Sequence, residues 1–500
     1  MEPEILLGPP GTGKTTSLLQ IVEDELKRGI PPDRIAYVSF TRRAAEEAIS
    51  RACEKFNLSR SDFPYFRTIH SLAFKELGIR NNEIFEGSKI YEFAKWMGIR
   101  VTGRYSEDGT LSGLETGDKI LFMENLARVK QVPLRTLYNQ SNENFPWSQL
   151  ERVALGLRKF KQENGLIDFT DLLEIYVKSG RKPLLDVLLC DEVQDQSALQ
   201  WKVIEKLAIN TRRVVLAGDD DQSIYQWAGA DVARMISQPG KVRVLEQSYR
   251  VPKQIQDLAF SVIDRVHLRR NKIWSPRSGT GVIERVPNFF KSDYSGDNVL
   301  ILARNTFLIK DIIEPELRRN GILYEKNGVK SVKESMIQAI VDWEQLRSGS
   351  PIPVSRAINV YEYMASNTGV KRGFKKLPQF QESQEVNLPI LKESGGLLTD
   401  RIWHEALERI SLEDRRYIIA ARRRGEKILG EPRIRISSIH TAKGAEAQHV
   451  ILLKEQAKKT HRDMEKDSDA EHRVFYVGIT RAKERLTIVD SSTDKYYPFI

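Results

Sequence analysis

Short apolar runs, each followed by a polar loop and a helical pattern, recur along the chain. This alternation is typical of strands in a parallel sheet that helices cover on both faces. The runs of the first half are EILL at 4–7, RIAYVSF at 34–40, LLDVLLC at 184–190 and RRVVLAG at 212–218. Those of the second half are NVLILA at 298–303, IRISSIH at 434–440, HVILL at 449–453 and LTIVD at 486–490. The pattern predicts an α/β fold with two parallel sheets.

Two segments between these runs have a different, mainly helical character. KILFMENLARV at 119–129 has amphipathic spacing, and WHEALERI at 403–410 continues a helical pattern towards the basic run 422–424. A chain of 500 residues is also too long for one hydrophobic core. We therefore expect two sheet domains with one helical insertion each. The predicted bounds are 1–75 and 166–245 for the first domain, 76–165 for its insertion, 246–345 and 426–500 for the second domain, and 346–425 for a reduced second insertion.

The charge balance and the cysteine count narrow the class of protein. The 78 Lys and Arg against 68 Asp and Glu give a formal net charge of +10, which fits either a polyanionic partner or a well-solvated basic surface. Only Cys53 and Cys190 occur, too few for a disulfide framework or a metal cluster, and a reducing compartment fits. No apolar run reaches the roughly 18 residues that span a bilayer, and the N-terminus lacks a secretory leader. We expect a soluble cytoplasmic protein with no membrane partner.

The run GPPGTGKTT at 8–16 follows the strand-like EILL and precedes a helical pattern. It matches the phosphate-binding loop G-x-x-x-x-G-K-[ST], in which glycines let backbone N–H groups face phosphate. We expect Lys14 to reach the β and γ phosphates of ATP, and the Thr15 hydroxyl to bind Mg²⁺. The predicted ATP-binding residues of the loop are Gly8, Pro9, Pro10, Gly11, Thr12, Gly13, Lys14, Thr15 and Thr16.

The apolar run LLDVLLC leads directly into two carboxylates, Asp191 and Glu192. Asp191 is placed to hold the Mg²⁺, and Glu192 to orient or deprotonate the attacking water, because phosphoryl transfer depends on positioned charge and a placed nucleophile. The alternative is a solvated acidic turn. The apolar strand favours the catalytic interpretation, since burying two adjacent carboxylates without a metal or donor is costly.

Further motifs follow in a fixed order along most of the chain. The motifs are YVSFTRRAAEEAISR at 37–51, FRTIHSLAFKEL at 66–77, DFTDLL at 168–173, VVLAGDDDQSIYQWAGA at 214–230, LEQSYRVPKQI at 245–255, SSIHTAKGAEAQHVILL at 437–453 and EHRVFYVGITRAKERLTIV at 471–489. With the phosphate loop and the two carboxylates, this ordered set resembles the superfamily 1A DNA helicases of the UvrD, PcrA and Rep type.

The resemblance implies a P-loop NTPase with two RecA-like parallel-sheet domains, each carrying a mainly helical accessory insertion. ATP and Mg²⁺ are expected in the cleft between these domains. Gln222 is similar to the residue that senses the γ-phosphate, and Arg250 and Arg481 are similar to the two arginines that the second domain projects into the site. Guanidinium groups stabilise charge on a transferring phosphoryl group, which agrees with this assignment.

Recognition of the base is implied in the same way. Tyr249 resembles the tyrosine that stacks on adenine, Glu446 resembles the acid that contacts the ribose, and Gly444 is an ATP-binding position of the same motif. Relatives carry an adenine-reading glutamine motif upstream of the loop, and only MEPEILL precedes Gly8 here. We therefore expect base discrimination to depend on Tyr249 and its neighbours.

The implied partners are single-stranded DNA and junctions of single-stranded with double-stranded DNA, and RNA stays open as a track. A motor must tolerate every sequence, so stacking and backbone contacts are expected. The family's strand-contacting positions correspond to Phe40, Thr41, Thr68, His70, Tyr225, Trp227 and His440. A core position is the alternative for each aromatic ring, and for Phe40 taken alone it is the favoured one.

The residues LTIVDSSTDKYYPFI at 486–500 follow the final arginine motif. In relatives, a β-hairpin here carries a tip aromatic that wedges against the first base pair, and an ungapped continuation from Leu486 places Tyr497 at that position. Such a ring would cap the duplex by stacking. Only Pro498, Phe499 and Ile500 follow, so a frayed or packed tail is the alternative.

The resemblance thus implies a DNA-stimulated ATP hydrolase that moves 3′ to 5′ along single-stranded DNA and unwinds duplex. The polarity rests on GDDDQSIYQWAGA at 218–230, which resembles the version found in 3′–5′ motors. One alternative is the same motor stripping or remodelling protein–DNA complexes without processive unwinding. The other is a nucleic-acid-binding protein with a silent ATPase.

Overall fold

The computed structural model describes residues 2–103, 115–141 and 143–500. The chain divides into two compact units, Met1–Arg285 with Ser438–Ile500, and Val286–Ser437. The strands are β1 Glu4–Leu7, β2 Ile35–Ser39, β3 Phe66–Thr68, β4 Val187–Cys190, β5 Arg213–Gly218, β6 Lys241–Val244, β7 Val282–Val286, β8 Val299–Ala303, β9 Tyr324–Lys326, β10 Val329–Lys330, β11 Ile352–Pro353, β12 Glu385–Val386, β13 Ile434–Ser438, β14 Ala447–Leu453 and β15 Ala482–Val489.

The helices cover both halves of the chain. They are α1 Lys14–Lys27, α2 Arg42–Phe56, α3 Ile69–Leu77, α4 Ser88–Met97, α5 Thr116–Lys130, α6 Leu134–Gln140, α7 Trp147–Glu163, α8 Phe169–Ser179, α9 Ala198–Ala208, α10 Val232–Ser237, α11 Lys253–Ile263, α12 Thr306–Leu308, α13 Glu314–Arg319, α14 Glu334–Arg347, α15 Val354–Glu362, α16 Leu388–Glu393, α17 Trp403–Ala406, α18 Leu412–Arg424, α19 Lys458–Lys466 and α20 Asp469–Ile479. Each apolar run predicted as a strand overlaps a strand of the structure, so that prediction is confirmed.

A six-stranded sheet in the order β3-β2-β4-β5-β1-β6 organises the first unit. Its neighbouring strands are parallel. The strands are apolar on both faces because separate clusters cover them, with Leu6 and Leu189 on one face and Ile5 and Leu188 on the other. The carboxyl ends of parallel strands meet at one edge of a sheet, so the loops after β1, β2, β4 and β5 converge there.

Helices α4 to α7 have an apolar cluster of their own, which includes Phe93 and Leu157. An ion network joins these helices to α8, whose N-cap is Asp168. Lys161 Nζ lies 2.5 Å from carboxylate oxygens of both Asp168 and Asp171, and Arg128 Nη1 lies 2.9 Å from Asp168. Because Lys161 is buried, this network fixes the helical segment to the start of α8.

The remainder of the first unit pairs β14 with β15 in parallel, with α19 and α20 between them in sequence. Helix α20 is buried along almost its whole length, which follows from its apolar sequence VFYVGI. In the second unit, β13 pairs with β9 in parallel, β9 with β10 antiparallel, and β11 with β12 as a short antiparallel pair. No helix in the described part of the chain is long and apolar enough to cross a membrane.

Candidate functional site

The phosphate loop connects β1 to α1 at the carboxyl edge of the sheet. Gly13 precedes α1 with a φ of 78°, and Gly11 has a φ of 72°, a left-handed conformation that glycine adopts without strain. A Cβ on Gly11 would lie 2.3 Å from the Cβ of Arg250. The first N–H groups of α1 have no partner within the helix, so the loop and helix start form a site for an anion.

Lys14, the first residue of α1, forms an ion pair with Glu192. The Lys14 Nζ and Glu192 Oε1 atoms are 2.5 Å apart. Burial would raise the pKa of Glu192, but the attraction of Lys14 and Lys443 outweighs burial and holds this pKa well below its usual range. Glu192 also has a φ of 56°, an unusual conformation for a non-glycine residue that turns the chain sharply after β4.

Asp191 directly follows β4 as a buried carboxylate, and its Oδ2 accepts a hydrogen bond of 2.6 Å from the Tyr37 hydroxyl. Burial raises the pKa of Asp191 against the pull of Lys14. Burial raises the pKa of Tyr37, and the neighbouring Thr15 side chain acts in the opposite direction. The predicted metal ligands Thr15 and Asp191 therefore share one neighbour, and a hydroxyl with a carboxylate is the oxygen donor set that Mg²⁺ prefers.

Gln222 and Arg481 are in direct contact although they are far apart in sequence. Arg481 Nη2 donates to Gln222 Oε1 at 2.9 Å, and Gln222 Nε2 donates to Asp219 Oδ2 at 2.7 Å. Arg481 is 1% exposed, and burial together with Arg250 lowers the pKa of its guanidinium to about 9. The structure thus brings the predicted sensor and one predicted arginine finger together.

Arg250, the second predicted finger, pairs with Glu446 at 2.6 Å between Nε and Oε2. Burial would raise the pKa of Glu446, but Lys483 and Arg250 hold it below its usual value. Tyr249 is 73% exposed, and its backbone N–H donates to the Gly11 carbonyl at 2.8 Å. The exposed ring is therefore tethered to the phosphate loop. Gly444 has a φ of 85°, which allows the turn before Glu446.

The sequence analysis missed Gln194 and Lys443, which both contact the candidate catalytic residues. Gln194 Nε2 donates to Glu192 Oε2 at 2.5 Å, while its Oε1 accepts from the Asp219 N–H at 3.0 Å. Lys443 pairs with Asp195, donates to the Gln222 carbonyl at 2.7 Å, and lies 3.6 Å from Glu192. Gln194 lies three residues after Asp191 in the run DEVQD at 191–195, and Lys443 lies inside the motif at 437–453, which was the available signal.

The aromatic strand-contact candidates form a continuous row of rings. The centroids of Phe40 and Tyr225 are 5.4 Å apart, those of Tyr225 and His440 are 6.0 Å apart, and those of His440 and Trp227 are 6.3 Å apart. Trp227 also stacks on Phe122 of α5 at 6.3 Å, a ring that the sequence analysis missed. His440 is buried, whereas Phe40, Tyr225 and Trp227 are half-buried.

The remaining strand-contact candidates lie at helix starts. Thr41 caps α2 by accepting from the Ala44 N–H, and Thr68 caps α3 by accepting from the Ser71 N–H. Capping is a structural role for both hydroxyls. His70 meets the edge of Phe169 at 6.1 Å between ring centroids. Burial and the charge of Arg42 lower the pKa of His70 to about 4, so this imidazole is neutral at pH 7.

The structure corrects the expectation for Tyr497. Its ring is 0% exposed and stacks on Phe475 with centroids 3.9 Å apart and planes 7° apart. The Tyr497 hydroxyl is 2.6 Å from His472 Nδ1. The side chain is thus fully buried with its hydroxyl engaged within the protein, and no face is free to stack on a base pair. The prediction of a separation pin at Tyr497 is wrong, because apolar packing on α20 holds the tail.

A cavity of about 310 Å³ lies beside the phosphate loop and has both polar and apolar lining. Its lining residues are Thr16, Leu19, Arg51, Glu54 and Lys55. Arg51 Nη2 donates to Thr16 Oγ1 at 2.8 Å, so α2 is tied to the start of α1.

Similar proteins are known for most of the chain. A probable DNA helicase II homolog of Mycoplasma capricolum subsp. capricolum is 28% identical over 65% of this chain and 47% of its own length. A probable DNA helicase II homolog of Rickettsia conorii is 23% identical over 99% of this chain and 91% of its own length. The ATP-dependent DNA helicase PcrA of Bacillus subtilis is 26% identical over 67% of this chain and 47% of its own length. The chain spans about half the length of two of these relatives.

Family models match both halves of the chain. The UvrD/REP helicase N-terminal domain matches residues 2–242, and the UvrD-like helicase C-terminal domain matches residues 405–493. These matches, with the parallel sheets of the structure, confirm the predicted α/β fold with two RecA-like domains. The phosphate loop, the carboxylates after β4 and the ordered motifs all fall within one family pattern, and the chain belongs to the UvrD/PcrA/Rep-type helicases.

Proposed function

We propose that the chain is an ATP-dependent DNA helicase, a DNA-stimulated ATP hydrolase that translocates 3′ to 5′ along single-stranded DNA and unwinds duplex. The observation that carries this proposal is the hydrogen-bonded network around Gln222. It runs from Glu192 through Gln194 to Asp219, and from Asp219 through Gln222 to Arg481. A candidate base, a candidate sensor and a candidate finger are therefore linked in one network, as phosphoryl transfer by positioned charge requires.

Lys14 is central to the proposed chemistry. When ATP enters the loop, its phosphates compete with Glu192 for the Lys14 ammonium. Loss of the ion pair raises the pKa of Glu192, so the carboxylate becomes a better acceptor for a proton of the attacking water. Arg481 and Arg250 stabilise the charge that develops on the transferring phosphoryl group.

Thr15 and Asp191 are the residues that would hold Mg²⁺, which supplies electrostatic stabilisation of the phosphate oxygens when bound. Tyr37 orients the Asp191 carboxylate by its hydrogen bond. The positive φ of Glu192 lets its own side chain reach Lys14. The chain's own contribution is thus to hold two adjacent carboxylates in different environments, one beside Tyr37 and one beside Lys14.

The row of rings supports single-stranded DNA as the track. The neighbouring ring centroids are 5.4–6.3 Å apart, and all of these rings except the buried His440 are half-buried. The half-buried rings offer stacking surfaces that do not depend on base identity. We propose single-stranded DNA and its junctions with duplex as partners. We also propose 3′–5′ polarity, because the motif at 218–230 resembles the version found in 3′–5′ motors. We propose that the first RecA-like domain comprises residues 1–75 and 166–245, and the second residues 246–345 and 426–500.

The burial of Tyr497 favours a second candidate function. A motor that lacks an exposed ring at this position suits the stripping or remodelling of protein–DNA complexes without processive unwinding. The two candidates share the ATPase and the track, and they differ only in how the motor acts on duplex.

Steady-state ATP hydrolysis with and without single-stranded DNA tests the proposal, with Glu192→Gln as the inactive control. We expect stimulation by DNA in the wild type and loss of hydrolysis in the variant. Release of streptavidin from 5′-biotinylated but not 3′-biotinylated strands would support 3′–5′ movement. Strand separation of a forked duplex then distinguishes unwinding from the stripping of bound protein. A rate that single-stranded DNA leaves unchanged overturns both motor functions, and equal stimulation by RNA overturns the DNA assignment.

A further inference from the structure

The segment Leu268–Lys272 lies against the turn Asp219–Gln222 within the first unit. The backbone N–H of Arg270 donates to Asp220 Oδ2 at 2.8 Å. Arg473 of α20 joins the two segments, since its Nε donates to the Asp220 carbonyl at 2.9 Å and its Nη2 to the Leu268 carbonyl at 2.6 Å. Backbone and side chains therefore hold these two segments together.

Lys272 places its ammonium among three consecutive carboxylates. Its Nζ is 3.2 Å from Asp219, 2.5 Å from Asp220 and 3.1 Å from Asp221, and all four side chains are 0–1% exposed. Three carboxylates so close together form the kind of cluster that holds a divalent cation, and the ammonium occupies its centre. Burial would lower the pKa of Lys272, but the three aspartates raise it well above its usual value. Lys272 therefore stays charged.

Asp219 connects this cluster to the hydrolytic network. One carboxylate oxygen, Oδ1, faces Lys272, while the other, Oδ2, accepts from Gln222 Nε2 at 2.7 Å. An amide can point either end at a neighbour, and a charged acceptor selects its NH₂ group. With the NH₂ of Gln222 bound to Asp219, its carbonyl oxygen faces Arg481 Nη2 at 2.9 Å.

We propose that Lys272 is a positioning residue for ATP hydrolysis: its buried ammonium holds Asp219 as the acceptor that orients Gln222 towards Arg481. This role rests on the proposed ATPase. Without the ammonium, adjacent buried carboxylates repel one another or take up a proton, and Asp219 no longer selects one orientation of the Gln222 amide. Arg481 then loses a fixed partner in the site.

Arg269 provides a matched control in the same segment. It binds both carboxylate oxygens of Asp221, at 2.9 and 2.8 Å, and also Asp264 at 2.7 Å. Its described contacts with the aspartate cluster thus involve Asp221, two residues from Asp219. A purely structural role for the basic residues of this segment predicts equal effects for Lys272 and Arg269. A positioning role predicts that only Lys272 affects turnover.

The test compares Lys272→Met with Arg269→Met in the full chain. We expect Lys272→Met to lower the kcat of DNA-stimulated hydrolysis about ten-fold or more, with the KM for ATP and the affinity for an oligo(dT) strand within about three-fold of wild type. Arg269→Met should keep kcat within about three-fold. Wild-type kcat in Lys272→Met, or an equal loss of kcat in Arg269→Met, would overturn the role of Lys272.

Asp219→Asn keeps the inference testable if Lys272→Met does not fold. This variant retains the shape of the side chain and removes the charge that selects the Gln222 amide, so kcat should fall as in Lys272→Met. Circular dichroism and the thermal midpoint show whether each variant is folded. Wild-type turnover in folded Asp219→Asn overturns the inference. A wild-type protein that does not hydrolyse ATP overturns the proposed function itself, and the role of Lys272 with it.

Discussion

The Nζ of Lys14 and the Oε1 of Glu192 lie 2.5 Å apart, so two residues predicted for different tasks bind each other. The lysine was expected on the phosphates of ATP, and the carboxylate beside the attacking water. In the proposed function, phosphates that take the lysine would also release the carboxylate, which would couple nucleotide binding to the supply of a base. This coupling requires both partners of the ion pair.

Lys14→Ala and Glu192→Gln should each lower ATP turnover by at least about 100-fold, because phosphate positioning or water activation is lost. Strand binding should stay within about three-fold of wild type, since the row of rings lies outside this ion pair. A coupled-enzyme ATPase assay and fluorescence anisotropy with an oligo(dT) strand measure the two effects. Near-normal turnover in either variant would remove that residue from the proposed chemistry.

Arg481→Ala should lower kcat by about 10³-fold and change nucleotide affinity by less than about five-fold, because a finger acts on the transition state. Glu484 is an exposed neighbour, and Glu484→Ala should leave both parameters unchanged. Arg481 is buried, so the thermal midpoint of each variant must be compared with wild type. A loss confined to nucleotide affinity would contradict the finger assignment.

Trp227→Ala should weaken the binding of single-stranded DNA by roughly 1–3 kcal/mol, the range for one stacked base. Trp96 of α4 is 50% exposed, stands outside the row of rings, and gives the control Trp96→Ala with affinity unchanged. Anisotropy titrations at fixed salt measure both variants. If Trp227→Ala instead lowers the thermal midpoint while strand affinity is kept, the ring belongs to the core.

Tyr249→Ala should raise the KM for ATP about five-fold or more and leave kcat near wild type, because stacking on the base contributes mainly to binding. Its ring is 73% exposed, so the free energy of unfolding should hardly change. Competition between ATP and GTP measures base discrimination, which should decline in the variant. An unchanged ATP preference would assign base discrimination to residues other than Tyr249.

The packing around Tyr497 should make stability depend on pH through His472. Burial, with help from Arg265, lowers the pKa of the His472 imidazole to about 4 in the folded protein. The unfolded value is near 6.5, so the contribution is fully present above pH 6.5 and is lost as the pH falls towards 4. Between pH 7 and pH 5 the loss is about 2 kcal/mol.

Denaturant unfolding of the wild type and of His472→Gln at several pH values measures this loss. The variant should show a shallower decline of stability between pH 7 and pH 5, because it lacks the group that takes up the proton on unfolding. Parallel curves for the two proteins would show that His472 does not titrate in this way.

Local sequence predicted the phosphate loop and the strand-bound carboxylates because their geometry depends on consecutive residues. Gly13 adopts a positive φ directly before α1, and Asp191 comes directly after the last residue of β4. The pairing of Lys272 with Asp220 spans 52 residues, and that of Lys443 with Gln222 spans 221. Such contacts depend on tertiary packing, which no spacing rule expresses.

Tyr497 shows how an ungapped extension can mislead. The extension from Leu486 counted residues along a presumed hairpin, while the stacking of Tyr497 on Phe475 and its hydrogen bond with His472 decided where the side chain went. An aromatic ring gains more by complete burial against another ring than by standing in water. The stacking of Phe122 on Trp227 was missed because tertiary packing, which local sequence does not show, brings these two distant rings together.

The contact between Gln222 and Arg481 joins residues 259 positions apart. Closing a chain loop of that length costs roughly 5 kcal/mol of entropy, and native contacts of high sequence separation form late on average. During synthesis, β1 to β6 leave the ribosome long before Arg481 does, so the first sheet can form while its arginine is still missing. A nascent chain can therefore acquire the phosphate loop well before it can acquire Arg481, so the proposed hydrolytic site would be completed only near the end of synthesis.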